Sequence, residues 1–373
     1  MNRNKVSLGR ILGIPIGLDY SWFLMFILLT WTLAVGFYPE ELKRVSALQD
    51  WILSAGTAVM LFVSVLLHEL GHSVVARRYN IPVKSINLYI FGGISEISEE
   101  PPNARAQFWI SIIGPLVSFA LGLIFWFLQP FLTGMATLLV LDRYLAFINF
   151  GLGIFNLIPG FPLDGGGVFL SIVWGLTHNK NRATLIAANL GRIIALLFIF
   201  LGVWQVLGTN PFNGIWIAFI GWFLLDAATS QVQQIKVEQL LAGHKVFEVM
   251  SDAYVVVSPN TTLQQLVDEH HLGRGKRNIV VEEEDQVLGL LTSQHMKDTP
   301  RSDWPVTTVA QVMAPLSKLK RIQPDTELWS AIESMNRDGV NQLPVMTNGH
   351  IEGMLTREDV LSFLRDMKEI ETT

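Results

Sequence analysis

The sequence predicts a polytopic α-helical membrane domain of about six transmembrane helices, carrying a short membrane-associated β-hairpin and followed by a cytosolic α/β tandem repeat. Three observations predict it. Of 373 residues, 50% are hydrophobic and 16% charged, with a mean hydropathy of +0.38, whereas soluble domains run near a quarter charged. The charge is divided: residues 1–243 hold 14 basic and 12 acidic side chains, residues 244–373 hold 13 and 20. The acidic tail also repeats itself. The absence of cysteine excludes a disulfide framework, thiolate-bound metal and a thiol nucleophile. With a pI near 5.9 and no basic patch, no nucleic-acid partner is expected.

Charge-free runs locate the spans, since roughly 20 apolar residues cross a hydrocarbon core of about 30 Å. Tyr20 to Pro39 is the first and Trp51 to Leu67 the second. Ala106 to Leu141 holds a third, a turn near Gln129 and Pro130, and the start of a fourth that resumes as Tyr144 to Ile158. Ile193 to Leu225 divides between Gly208 and Asn213 into two more. Short-loop basic residues set the orientation. Arg3, Lys5, Arg10, Arg77, Arg78, Lys84, Lys180, Arg182 and Lys236 all fall on one side, with Lys43 and Arg44 dissenting beside Glu40 and Glu41. Both the N-terminus and the tail are therefore expected in the cytosol of a chain held in the plasma membrane. No small-residue cleavage site follows the first apolar run, so it is read as a retained span.

Between the second and third spans, Ser85 to Phe91 is β-prone, Gly92 and Gly93 break it, and Ile94 to Ser98 resumes, which reads as a hairpin beside the membrane. Backbone of that kind survives at membrane depth only when buried in protein or lining a wet cavity. In the tail, Val246 to Met250 aligns with Val309 to Met313, Pro259 to Leu263 with Pro324 to Leu328, and Val287 to Thr292 with His350 to Thr356. Each copy reads strand, helix, strand, turn, strand, helix, and such duplication implies pseudo-twofold packing. The domains expected are residues 1–230 in the membrane, a link over 231–243, and the repeats over 244–303 and 304–370 of a tail running to residue 373.

Leu67, His68, Glu69, Leu70, Gly71 and His72 form an HExxH motif at the cytosolic end of the second span. On a helix the two imidazoles lie on one face and can close on one Zn2+, leaving Glu69 beside it to hold a water. The bland alternative is a polar helix end at the interface. Ionisable groups in an apolar helix cost roughly 2 to 3 kcal/mol each and are rarely kept without a partner. A catalytic zinc keeps three protein ligands and one open position, and three other acids stand at membrane depth. Asp142 neighbours Arg143 as its ion-pair mate, and Asp226 ends the sixth span at the interface. Asp164 stands at the same membrane face as His72, in a turn rich in Pro and Gly that can aim a carboxylate sideways, and is the ligand expected.

These residues carry a resemblance. The HExxH on the second span, the Gly92–Gly93 hairpin, Gly114–Pro115 in the third span, and the run from Asn156 through Pro159, Pro162, Leu163 and Asp164 to Gly166 resemble the site-2 protease family of intramembrane zinc metalloproteases. The tail resembles a tandem pair of CBS domains, and the combination is similar to the CBS-bearing branch without a PDZ domain. Carried over by motif, the resemblance implies one Zn2+ per chain on His68, His72 and Asp164, Glu69 as catalytic base, Asn156 as substrate or oxyanion contact, and a transmembrane protein as substrate. It implies adenine nucleotide bound between the repeats at Thr356 and Asp359, which regulates proteolysis. The first repeat departs from that pattern, with His295 where the acid should stand, so one competent site is expected. Beside it stands a tail that forms a homodimer or docks substrate. Two further readings stay open: a non-proteolytic membrane zinc scaffold or sensor, and a CBS-gated transporter. The hairpin either pairs with an unwound substrate strand or plugs the gap between spans.

Overall fold

A computed structural model describes residues 5–43, 45–89, 92–97, 99–208, 211–270, 278–284, 286–291, 295–296, 298–347 and 349–371. Two compact units divide it, Met1–Ile235 and Lys236–Thr373. Among the described residues six helices are long and apolar enough to cross a membrane: α1 (Tyr20–Glu41), α2 (Ala47–Arg78), α3 (Ala104–Leu132), α4 (Ala136–Asn156), α6 (Lys180–Leu207) and α7 (Pro211–Leu241). Between α4 and α6 lies a shorter helix, α5 (Asp164–Thr177), where an irregular turn alone was expected.

Each start has a local cause. Asp19 caps α1 by accepting from Ser21 N, Ser46 and Gln49 form a capping box for α2, and Asn103 accepts from Ala106 N at α3. Helix α2 runs unbroken through the HExxH. Its Asp50, Ser54, Thr57, Ser64, His68 and His72 are all buried, and their spacing places them along one edge. The hydroxyls of Ser54, Thr57 and Ser64 donate back to carbonyls one turn earlier, which satisfies them inside the apolar bundle. Asn149 of α4 meets this edge by donating to Ser64 Oγ at 3.2 Å.

A four-stranded sheet runs in the order β1 (Lys5–Ile11), β2 (Ile14–Asp19), β3 (Val83–Tyr89), β4 (Gly92–Ile97). The expected hairpin is β3–β4, antiparallel with Asn87 opposite Ile94. Strands β1 and β2 were not foreseen; β2 runs parallel to β3 with Ile16 opposite Ile86. Ile14, Ile16 and Ile86 pack on Leu70 of α2, which pins the sheet against the turn that carries the HExxH. The other end of the sheet order is β4, an edge.

In the second unit, β5 (Tyr254–Val257), helix α8 (Leu263–His270), β6 (Asn278–Glu283) and β7 (Gln286–Leu291) form the first repeat. The second runs through α9 (Leu328–Asp338), β9 (Gln342–Thr347), β10 (His350–Thr356) and α10 (Arg357–Glu371). A two-residue strand, β8 (Ala314–Pro315), closes the first sheet beside β7. The opening strand of the second repeat is reduced to a parallel bridge between Ile322 and Val345. The residues read as a link, 231–243, continue α7 as far as Leu241. Residues 292–294 of the first repeat's binding motif lie outside the described residues.

Candidate metal centre

His68 and His72 stand one turn apart on α2, which puts both rings on the edge that faces α3. Asp164 arrives from the opposite direction. After α4 ends at Asn156, the chain turns back through Gly160 N to Ile158 O and Leu163 N to Gly160 O, and Asp164 is the first residue of α5. Gly165 and Gly166 lie against the backbones of Leu157 and Gly160, with no room for a Cβ. This close approach folds the turn tightly enough to bring the carboxylate to the histidines. Asp164 Oδ2 lies 3.0 Å from His68 Nε2 and 3.3 Å from His72 Nε2, and the two Nε2 atoms are 3.2 Å apart.

Those separations test the fit of a metal. Tetrahedral zinc bonds of about 2.0 Å give ligand-to-ligand edges of about 3.3 Å, so the three atoms stand where three corners of such a tetrahedron fall. The far ring nitrogens support the same reading. His72 Nδ1 lies 2.6 Å from the Ile110 carbonyl, so it carries the proton and donates, leaving Nε2 with a lone pair. His68 Nδ1 is 2.9 Å from Ser118 Oγ. Both outer partners come from α3, and a Cβ on Gly114 of that helix would overlap the Nε2 atoms of both histidines. Two imidazoles and a carboxylate suit Zn2+, with the fourth corner left to water or substrate.

Glu69 stays out of the triad. It is half-buried, and its Oε2 accepts from Ser95 Oγ on β4 at 2.8 Å. Gly93 packs on its side-chain stem. Asn156, the last residue of α4, is half-buried, and no side-chain hydrogen bond joins it to the triad among the described residues. The acids set aside do stand apart: Asp226 is exposed on α7, and Asp142 is buried on α4. The expected ion pair of Asp142 with Arg143 is corrected by the structure. Adjacent helical residues point about 100° apart, so Asp142 turns inward to hydrogen-bond Gln129 while Arg143 is exposed. Sequence analysis missed Ser118, the Ile110 carbonyl, Ser95, and the buried Asp50 and Asn149; only the helical spacing of Asp50 with His68 could have flagged one of them.

In the tail, Asp359 Oδ2 accepts from Thr356 N at 2.9 Å and Thr356 Oγ1 at 2.6 Å, while Asp359 N donates to that hydroxyl at 3.2 Å. The two residues expected to meet nucleotide thus form a reciprocal cap at the start of α10.

The chain is similar along nearly its whole length to two bacterial proteins whose names propose zinc metalloproteases. The protein sll0528 of Synechocystis sp. is 32% identical over 97% of this chain and 96% of its own length. The Rip3 protein of Mycobacterium tuberculosis is 33% identical over 96% and 92%. The model of peptidase family M50 matches residues 56–142 and 133–199. The chain belongs to peptidase family M50. It is a site-2 protease-like zinc metalloendopeptidase and an integral membrane protein. The CBS-domain model matches residues 246–299 and 303–366, so a tandem CBS pair follows the six-helix M50 unit. Among solved structures, the site-2 protease from Methanocaldococcus jannaschii is 29% identical, covering 61% of this chain and 95% of that one with a TM-score of 0.42.

Proposed function

We propose that this M50 peptidase hydrolyses a peptide bond in or near a transmembrane segment of a membrane protein, with His68, His72 and Asp164 holding one Zn2+ and Glu69 acting as base. The convergence of the three donor atoms at 3.0 to 3.3 Å beside an unligated glutamate carries the reading. Zinc bound there polarises a carbonyl and brings the acidity of a water close to neutral pH. Glu69 takes the proton from that water as it attacks and returns it to the departing amine. Asn156 offers its amide to the substrate carbonyl from the end of α4.

A helical substrate hides its carbonyls in hydrogen bonds to residue i+4, so the scissile stretch must unwind first. Edge strand β4 supplies replacement partners by taking the unwound segment as an added strand. Its contact with Glu69 through Ser95 and Gly93 supports that use over a mere plug. Both chain ends lie in the cytosol of a plasma-membrane protein, as the basic loops argue. The CBS pair binds one adenine nucleotide per chain at Thr356 and Asp359, regulates access to the metal, and forms the contact of a homodimer. Purified protein in detergent, incubated with a panel of single-span proteins with and without a zinc chelator, tests the reading. Cleavage lost on chelation and restored by Zn2+ is expected. No cleavage across the panel by a zinc-loaded protein favours the scaffold instead.

A further inference from the structure

We propose that Ser95 is a positioning residue for Glu69, so that the strand offered to substrate also fixes the rotamer of the base. The inference rests on the reading of Glu69 given above. Ser95 Oγ lies 2.8 Å from Glu69 Oε2 and 3.3 Å from the Glu69 carbonyl. A serine hydroxyl has one proton to give, and the shorter distance assigns it to the carboxylate oxygen over the carbonyl. Ser73, one turn after Glu69 on α2 and fully buried, donates to Ser95 Oγ at 3.2 Å. The Ser95 oxygen therefore accepts from Ser73, and its own proton points to the carboxylate. The relay runs from α2 to β4 and back to α2.

The stem of the same side chain is held by the same strand. Gly93 lies against Glu69 Cγ so closely that a Cβ there would overlap it. Glutamate has three side-chain torsions, and fixing them costs rotamer freedom. Two contacts from β4, at stem and at tip, meet that cost before substrate arrives. Ser95 contributes nothing to the metal: the outer partners of the histidines are Ser118 and the Ile110 carbonyl on α3. Removal of the Ser95 hydroxyl should thus slow turnover while leaving zinc in place. A substrate segment pairing with β4 presses on the strand that aims the base.

The experiment compares full-length wild type, Ser95→Ala, Ser95→Thr, Ser73→Ala and Glu69→Gln on one cleavable single-span substrate, with zinc per chain measured on each. Ser95→Ala is expected to keep its zinc and hold KM within about twofold while kcat falls about tenfold or more. Ser95→Thr, which retains the hydroxyl, should recover most of the lost kcat, and Ser73→Ala should lose less than Ser95→Ala. Unchanged kcat in Ser95→Ala, a loss confined to KM, a loss of zinc, or a threonine variant no better than alanine would overturn the assignment. Failure of the underlying reading shows separately, as cleavage that survives in Glu69→Gln.

Discussion

A base that is not a ligand can be separated from its metal. Glu69→Gln keeps the shape of the side chain but cannot take a proton, so it is expected to hold one zinc per chain and cleave nothing, whereas His68→Ala or His72→Ala should lose both. Metal analysis beside a cleavage assay checks it; zinc missing from Glu69→Gln would make the glutamate a ligand. The third ligand is tested the same way. Asp164→Ala should weaken zinc binding far more than Asp142→Ala or Asp226→Ala, because only its oxygen lies within 3.3 Å of both imidazoles. One step outward, Ser118→Ala should cost about 10- to 100-fold in zinc affinity by freeing the His68 ring to turn. Competition with a chromophoric chelator measures that loss, and an unchanged affinity would show that packing alone orients the ring.

At the scale of elements, the metal centre is a packing arrangement of three helices. Helix α3 approaches α2 at Gly114 so closely that any side chain there meets the imidazoles. Gly114→Ala is therefore expected to abolish zinc binding as fully as loss of a ligand, although glycine coordinates nothing. Retention of wild-type zinc content would mean that the helices can spread without cost. The same scale separates what could be read in the chain from what could not. HExxH is legible because its partners are four residues apart on one helix. The Ser118, Ile110 and Ser95 contacts join residues 50, 38 and 26 positions distant, which no local spacing announces. Strand β3 is legible in its β-prone run through Ile86, Leu88 and Tyr89, whereas Gly92 and Gly93, read as the break, open β4 itself. Strand β2 alternates, with Ile14, Ile16 and Leu18 set against Pro15, Gly17 and Asp19, but its Pro and Gly read as turn chemistry, and the residues of β1 described for exposure are exposed on both faces, so neither announced itself as a strand. Helix α5 hid behind Gly165, Gly166 and Gly167, which read as turn chemistry; the first two lie against Leu157 and Gly160, and the third against Ser111 and Gln107 of α3.

For the whole molecule, the question is what the CBS pair does. Full-length protein titrated with AMP, ADP and ATP by calorimetry should bind one nucleotide per chain. The reciprocal cap complicates the obvious variant: Asp359→Ala removes both the proposed ribose acceptor and a helix-capping contact worth about 1 kcal/mol. Asp359→Asn keeps an acceptor for the cap and loses the carboxylate, so it should abolish binding without lowering the stability of the tail. Heat of binding unchanged in that variant would place the nucleotide elsewhere. If binding regulates access to the metal, cleavage rates must shift with nucleotide, and by no more than its differential affinity for the two states of the pair allows. The division of charge made the two-unit plan legible from composition alone. The continuation of α7 through the supposed link was not, since Gln231 to Leu241 is polar enough to read as a connector.

The polar edge of α2 also has a history in time. Asp50, Ser54, Thr57, Ser64, His68 and His72 are buried in the finished fold, but the chain is made from its N-terminus, and α2 leaves the ribosome before α3 and α4 exist. Until Asn149 reaches Ser64 and Asp164 reaches the histidines, that edge would face lipid with its polar groups short of their partners from α4 and α5. A newborn α2 should therefore stay in the insertion machinery and leave it together with α4. Nascent chains stalled before residue 149 are expected to crosslink to that machinery from position 64, and chains stalled well beyond residue 164 are not.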